Sequence, residues 1–392
     1  MFKAYKYRIS PTSSQKELIA KHIGSSRFVY NLALETKNSA YLGSKHNFSP
    51  FDLIKQLPEL KKECEWLKEV NSQSLQQSIQ NMDIAFKKFF KGAGFPKFKS
   101  KHKGRQSFSV PQNVIVENSL LIIPKFKEGI DIVLHRPVKG TIKSATISVT
   151  PTGKYFASIL VDTNEIAPPK KPINESTTIG LDLGIKDFAI TTRGEVFENP
   201  KYLRKAQSKL KYVQRKYSKY KGKKTKKKLA LLHEKVVNKR KDFLHKTSNN
   251  LINDSQIDTI ALEDLNVAGM VKNHNLAQAI SDVSWSTFVT MLEYKADWYG
   301  KNILRIGRFA PSSKTCSCGV INKDLKLSDR TWTCKSCGVT HDRDILAANN
   351  IKSFALKNHL TGEHSLKNHG ELPRLREVLT LEAHPIASGV GG

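Results

Sequence analysis

The sequence predicts a multidomain α+β protein, and three observations carry that expectation. At 392 residues it exceeds one usual hydrophobic core, and 39% hydrophobic content can fill more than one. Its texture changes from helical spacing to short β-branched runs, and then to strands alternating with helices. Four of its five cysteines crowd between Cys316 and Cys337, the mark of a small metal-bound insert.

The elements follow in order. Phe2 to Ile9 alternate apolar and basic side chains and stop at Ser10-Pro11, which reads as a strand with one buried face. Thr12-Ser13-Ser14 offers N-cap hydroxyls to a helix carrying Leu18, Ile19 and Ile23. Phe28, Tyr30, Leu32, Leu34 and Tyr41 suggest a second helix, and Leu75, Ile79, Met82, Phe86 and Phe89 a third, ending at Gly92-Ala93-Gly94. From Ser107 to Val161 the β-branched runs predict a small β-barrel or sheet that recruits the N-terminal strand. Its clearest hairpin joins Ile142–Val149 to Tyr155–Val161 through Pro151-Thr152-Gly153. Ala167-Pro168-Pro169-Lys170-Lys171-Pro172 is a stiff linker and the best domain boundary.

Beyond the linker, Thr178 to Gly184 reads as a strand ending on a carboxylate and Phe188 to Thr192 as the next strand, turning at Arg193-Gly194. Residues 201–246 form a long helical pair whose only acids are Glu234 and Asp242. Thr259-Ile260-Ala261-Leu262 is a buried strand ending on Glu263; a helix follows from Ser284 to Tyr299, a strand from Asn302 to Ile306, and a helix from Ile345 to Phe354. Residues 355–392 read as a polar tail with little fixed structure.

Composition narrows the partner. Lys plus Arg number 65 against 35 Asp plus Glu, a formal charge of +30, which rewards binding to a polyanion. Nucleic acid is the first candidate because neutralised phosphates release counterions; an anionic membrane surface or a solubility device are the alternatives. Lys97, Lys99, Lys101 and Arg105 are interleaved with Phe95 and Phe98, a composition that can stack on bases and hold phosphates, or form a plain solvated loop. Lys223, Lys224, Lys226, Lys227 and Lys228 read as a phosphate-binding hairpin tip, though such a run also resembles a nuclear-import signal. No apolar run approaches the ~18 residues of a membrane span, and the N-terminus lacks the apolar core of a signal peptide, so a soluble intracellular protein is expected.

Three acids stand where chemistry could use them. Asp182 and Glu263 each follow an apolar strand, and Asp344 precedes a helix in His341-Asp342-Arg343-Asp344. Carboxylates fixed at strand ends suit Mg²⁺, and two such ions roughly 4 Å apart can hydrolyse a phosphodiester. Each acid alone reads more simply as a turn carboxylate or helix cap; the three together on so basic a chain favour a nuclease. Asp187, Asp264 and Asp342 are the nearby competitors. Cys316-Ser317-Cys318 and Cys334-Lys335-Ser336-Cys337 could give four thiolates to a structural Zn²⁺, with His341 as a substitute ligand.

With these residues in place, the chain closely resembles the TnpB family of transposon-encoded RNA-guided nucleases over roughly residues 1–352. The resemblance rests on Lys3-Ala4-Tyr5-Lys6-Tyr7-Arg8 with Pro11, Arg27-Phe28-Val29-Tyr30-Asn31, Gly180-Leu181-Asp182-Leu183-Gly184, Glu263-Asp264-Leu265-Asn266-Val267, Pro311-Ser312-Ser313-Lys314-Thr315-Cys316, and His341-Asp342-Arg343-Asp344 with Ala347-Ala348. It implies an RNase H-like (RuvC-type) α/β nuclease core at 169–309 and 341–354, with Asp182, Glu263 and Asp344 as catalytic acids holding Mg²⁺ or Mn²⁺. An inserted zinc ribbon at 310–340 is implied, with a wedge-like β-barrel at 1–16 and 105–168 and a helical recognition lobe at 17–104. The implied partners are a guide RNA from the transposon end and double-stranded target DNA; a monomer in a prokaryotic cytoplasm is expected. Two departures stand out: Cys316 and Cys318 are one residue closer than the family's usual pair, and Leu346 replaces a usual Asn. The alternatives are an RNA-guided DNA binder with an idle nuclease centre and, lower, a transposase joining strands itself, for which no tyrosine-plus-histidine-pair signature is visible.

Overall fold

The computed structural model describes residues 1–102, 104–326 and 328–362, which divide into two units, residues 1–165 and the remainder. The first unit opens with β1 (Phe2–Ser10) and α1 (Ser13–Ser44), followed by α2 (Pro50–Lys55), α3 (Leu57–Glu63), a 3₁₀ turn at Glu65–Glu69 and α4 (Ser72–Phe89). Strands β2 (Gln106–Val110), β3 (Ile115–Glu117), β4 (Leu120–Ile123), β5 (Phe126–Val133), β6 (Thr141–Val149) and β7 (Tyr155–Asp162) complete it.

These strands and β1 make one antiparallel sheet of order β2-β6-β7-β1-β5-β4-β3, so the N-terminal strand is recruited into its middle, Phe2 beside Asp162 and Ile9 beside Tyr155. The expected barrel is not formed. The sheet stays open between β2 and β3, and at that edge β3 and β4 have only three and four residues, too short to tilt and close a cylinder.

A second correction concerns α1, where two helices were expected. Thr12 caps it in a reciprocal box with Gln15, and the backbone continues unbroken through Gly24-Ser25-Ser26 to a left-handed C-cap at Lys45. A single Gly inside a helix costs only about 1 kcal/mol, which burial on both sides of it offsets. Ile19 and Ile23 pack into the sheet's core with Tyr7, Phe108 and Ile130, whereas Val29, Tyr30, Ala33 and Leu34 pack with Leu75, Ile79 and Met82 of α4. Residues 16 and 17, placed on either side of a domain boundary by sequence, therefore lie inside one helix.

The second unit runs β8 (Thr178–Leu183), β9 (Asp187–Thr191), β10 (Val196–Glu198), α5 (Tyr202–Tyr220), α6 (Lys223–Asn253), β11 (Thr259–Glu263), α7 (Val267–Met270), α8 (His274–Val283), α9 (Trp285–Trp298), β12 (Asn302–Ile306), β13 (Thr331–Thr333), β14 (Thr340–Asp342) and α10 (Arg343–Leu360). Its main sheet has the order β10-β9-β8-β11-β12, with β8, β11 and β12 parallel, β9 antiparallel to β8 and β10 antiparallel to β9. Side chains alternate across it. Ile179, Leu181, Ile260 and Leu262 face a core built with Leu244, Leu251, Phe288 and Leu292 of α6 and α9. Ala261 faces the other way, with Leu304, Ile306 and the α10 residues Ile351 and Ala355.

α10 also corrects the proposed start of the tail: Ala355 is fully buried one turn after Ile351, so the helix continues to Leu360. The rest of the expected tail, residues 363–392, lies outside the described residues. No helix among the described residues is long and apolar enough to cross a membrane.

Candidate active site and candidate metal centre

Strand alternation decides where the three acids go. Asp182 shares the parity of Gly180, and Glu263 that of Ala261, so both lie on the face covered by α10. The β8–β11 register pairs Leu181 with Leu262, which sets the next residues, Asp182 and Glu263, side by side at the ends of parallel strands. α10 comes very close to this face. A Cβ on Gly180 would sit 1.9 Å from the Ala348 carbonyl oxygen, so only glycine permits the approach. Asp344 is one helical turn before Ala348, and the same contact brings it toward Asp182.

The electrostatics record this convergence. Burial pushes the Asp182 carboxyl up to about 7, and the neighbouring Glu263 and Asp344 carboxylates push the same way, while Arg343 and Arg330 oppose them. Burial also raises Glu263, against a lowering hydrogen bond from Ser312 Oγ to its Oε1 at 2.5 Å. Asp344 accepts from Arg330 Nη1 at 2.8 Å. A carboxyl such as Asp182, held partly protonated by burial and by the charges beside it, is poised to exchange its proton for a cation.

The competing acids have other work. Asp342 is the N-cap of α10, accepting from the N–H groups of Asp344 and Ile345 at 3.0 Å. Asp264 is engaged by Arg308 at 3.0 Å and Arg305 at 3.4 Å. Asp187 opens β9 with Lys186 3.7 Å away.

The four cysteines meet as the spacing requires. Their sulfurs all lie within 4.8 Å of one another, the only set of three or more His, Cys, Asp or Glu ligand atoms so gathered among the described residues; the three acids stand wider apart. Cys316 Sγ is 3.5 Å from Cys337 Sγ, and Cys318 Sγ is 3.7 Å from Cys334 Sγ. Tetrahedral thiolates at the usual Zn–S distance of about 2.3 Å would be roughly 3.8 Å apart, whereas a disulfide needs about 2.0 Å, so the donor set fits zinc.

The shortened first pair does not spoil this. Each pair ends in a turn closed on its first cysteine, Gly319 N–H to Cys316 O at 2.9 Å and Gly338 N–H to Cys334 O at 3.0 Å, with φ of 88° and 72° at the two glycines. The Cys316 N–H reaches back to Val320 O and the Cys334 N–H to Val339 O, both at 2.9 Å. His341 is not needed as a substitute ligand. Its Nε2 lies 3.0 Å from Cys316 Sγ and its ring 5.0 Å from that of Trp332, beside the four-cysteine set and outside it. The backbone amide of Cys318, followed by His341, pulls the Cys316 thiol down to about 5. Leu346 is buried against Cys316, Trp332 and Cys334, so this departure from the family's usual Asn fastens α10 to the cysteine knuckle.

The cationic candidates divide. Lys223, Lys224, Lys226, Lys227 and Lys228 are all exposed in the first turns of α6, at the positive end of its dipole, an arrangement that an anion would relieve. Lys97 and Lys101 are exposed and Arg105 half-buried. Lys99 is a partial correction: although exposed as a residue, its ammonium lies 3.7 Å from the centre of the Tyr30 ring, where burial draws it down to about 8. Its backbone is clasped by Asn31, which accepts from Lys99 N–H at 2.8 Å and donates to Lys99 O at 3.0 Å. Sequence reasoning gave no role to Arg330, Ser312 or Asn350; Ser312 stands within the motif at residues 311–316, and the other two are marked only by proximity to the cysteines and to Asp344.

Known proteins resemble this chain along most of its length. A family model described as "Probable transposase" (OrfB_IS605) matches residues 158–274, one described as "Cas12f1-like, TNB domain" matches 285–351, and the associated "Helix-turn-helix domain" model matches 1–45. That last segment is here a strand and one unbroken helix. A Streptomyces pristinaespiralis protein named "Putative RNA-guided DNA endonuclease" is 37% identical over 366 residues, covering 90% of this chain and 89% of its own. InsQ of Escherichia coli K12, under the same description, is 31% identical over 373 residues, covering 89% and 91%. The matching chain in the "Cryo-EM structure of the Cas12f1-sgRNA-target DNA complex" superposes with a TM-score of 0.56 over 90% of this chain and 98% of that one, at 13% identity, a likeness of fold.

Proposed function

The chain belongs to the TnpB family, and from that premise we propose that it is an RNA-guided DNA endonuclease whose nuclease centre is Asp182, Glu263 and Asp344. The observation that carries the reading is that Asp182 and Glu263 end adjacent parallel strands on the sheet face covered by the helix that bears Asp344 and is seated on Gly180.

The three carboxylates would hold Mg²⁺ or Mn²⁺. Bound there, two ions would supply an activated water and stabilise the leaving oxygen of the phosphodiester. The chain's own contribution is positional: the sheet fixes the separation of Asp182 and Glu263, and α10 brings Asp344 with its helix start already capped by Asp342. Cys316, Cys318, Cys334 and Cys337 would hold a structural Zn²⁺, since four thiolates leave no open position.

We assign residues 169–309 and 341–354 to an RNase H-like (RuvC-type) core and 310–340 to the ribbon. Residues 1–16 and 105–168 make a wedge-like sheet and 17–104 a helical recognition lobe, joined by α1, whose first half packs into the sheet's core. The partners on this reading are a guide RNA from the transposon end, whose pairing reads sequence, and double-stranded target DNA, with the protein acting as a monomer on shape and phosphate charge. Lys97, Lys101, Arg105 and the lysines from Lys223 to Lys228 would meet phosphates.

The test is plasmid cleavage by protein co-expressed with its native transposon-end RNA, with Mg²⁺ present. Guide-dependent cutting is expected from the parent and from neither Asp182→Ala nor Glu263→Ala. Cutting that survives both substitutions would remove this site from the reaction, and guided binding without cutting by the parent would make it a DNA-binding protein instead.

A further inference from the structure

Glu263 is gripped by a hydroxyl that is itself gripped. Ser312 Oγ donates to Glu263 Oε1 at 2.5 Å, and Ser312 is only 6% exposed, so water has little access to replace the donor. The serine's own N–H donates to Ala310 O at 2.8 Å. Its carbonyl accepts from Asn350 Nδ2 at 2.6 Å, and the same amide reaches Thr315 O at 2.7 Å. Thr315 closes the turn on Pro311 O, through its N–H at 3.1 Å and its Oγ1 at 2.8 Å. Asn350 lies on α10 beyond Asp344, buried to 9% exposure, and the residue after Thr315 is Cys316, the first thiol of the knuckle.

We infer that Ser312 is a positioning residue for Glu263, held in place by Asn350 and by the first turn of the cysteine knuckle, so that this carboxylate is set toward a divalent cation from the ribbon side. The inference rests on the nuclease reading and deepens it. A glutamate has three rotatable bonds, and repulsion from Asp182 beside it favours swinging away. One donor on Oε1 removes that freedom and leaves Oε2 for a cation. Partners behind a ligand in this manner typically change metal affinity 10- to 100-fold when lost.

The experiment is a Mn²⁺ titration of the zinc-loaded full-length protein, read by electron paramagnetic resonance, with zinc content measured alongside. Ser312→Ala should weaken Mn²⁺ binding about 10-fold with zinc content unchanged. Ser312→Thr, which keeps the hydroxyl, should restore the parent's affinity. Asn350→Ala should weaken binding in the same direction, again without loss of zinc. Parent-like affinity in Ser312→Ala, while Glu263→Gln loses the site, would overturn the inference and leave the nuclease reading standing. Parent-like affinity in Glu263→Gln would instead bring down the assignment of the acids, and the inference with it.

Discussion

The two candidate ion sites of the second unit are built in opposite ways. The four thiols come from one short stretch between Cys316 and Cys337, brought together by two glycine turns and a two-stranded hairpin with little core of its own. The three acids come from Asp182, Glu263 and Asp344, far apart in sequence, and are placed by a five-stranded sheet with hydrophobic cores on both faces. The difference teaches that a local site needs its ion to become ordered, whereas a distributed site exists before its ion arrives and is strained by lacking it.

The largest expected effect separates chemistry from folding. Asp182→Ala should reduce guided cleavage by ~10³-fold or more while the protein stays folded, since the carboxyl is unfavourable in its buried place. Loss of the folded state in this variant, seen by circular dichroism, would contradict a preformed acid site.

Gly180→Ala comes next. Its new methyl meets the Ala348 carbonyl at 1.9 Å, so α10 must shift; overpacking of this kind costs typically 1–3 kcal/mol, and a displaced Asp344 should depress cleavage as well. A variant with parent-like melting and cutting would show that helix contact to be dispensable.

Removing the knuckle's metal with a chelator, or one ligand with Cys334→Ser, should act locally. Hydrogen exchange should rise across residues 315–342 while strands Thr178–Leu183 and Thr259–Glu263 keep their protection. Equal loss of protection in both regions would erase the contrast between local and distributed construction.

The smallest effect is a pH slope in zinc-loaded protein without Mg²⁺ or Mn²⁺. Asp182 has its carboxyl raised from 3.8 to about 7 by folding, so between those values the folded state binds the extra proton and stability falls as pH rises. Urea midpoints at pH 5 and pH 7.5 should differ in that sense, less so in Asp182→Asn, and added Mg²⁺ should restore stability mainly at the higher pH. An unchanged slope in Asp182→Asn would assign the effect elsewhere.

How legible these features were in the sequence follows from their range. The strands bearing Asp182 and Glu263, the hairpin Ile142–Val149 with Tyr155–Val161 and the cysteine knuckle all announce themselves through local pattern and spacing, and all are found. The third acid's setting was less visible, because it depends on a helix touching a strand at Gly180 across more than 160 residues of chain. Ser312 stands inside the motif at residues 311–316 without its role being legible there, and Asn350 carries no pattern of its own; only the folded arrangement makes one a donor and the other a clamp. The unbroken α1 was hidden by Gly24-Ser25-Ser26, weak helix formers that tertiary packing overrides. The open sheet was misjudged because strand pattern reports faces, not closure.

That same helix limits how the molecule can be divided. Its first half belongs to the sheet's core through Ile19 and Ile23, and its second half to the helical cluster through Val29, Tyr30, Ala33 and Leu34. A chimera that imports its helical segment from a relative therefore has no clean seam near residue 17, since a joint there splits one rigid rod between two parents. The exchangeable cassette begins after Ser44, where the left-handed Lys45 ends the helix, and evolution, like an engineer, would find insertions tolerated there before anywhere upstream.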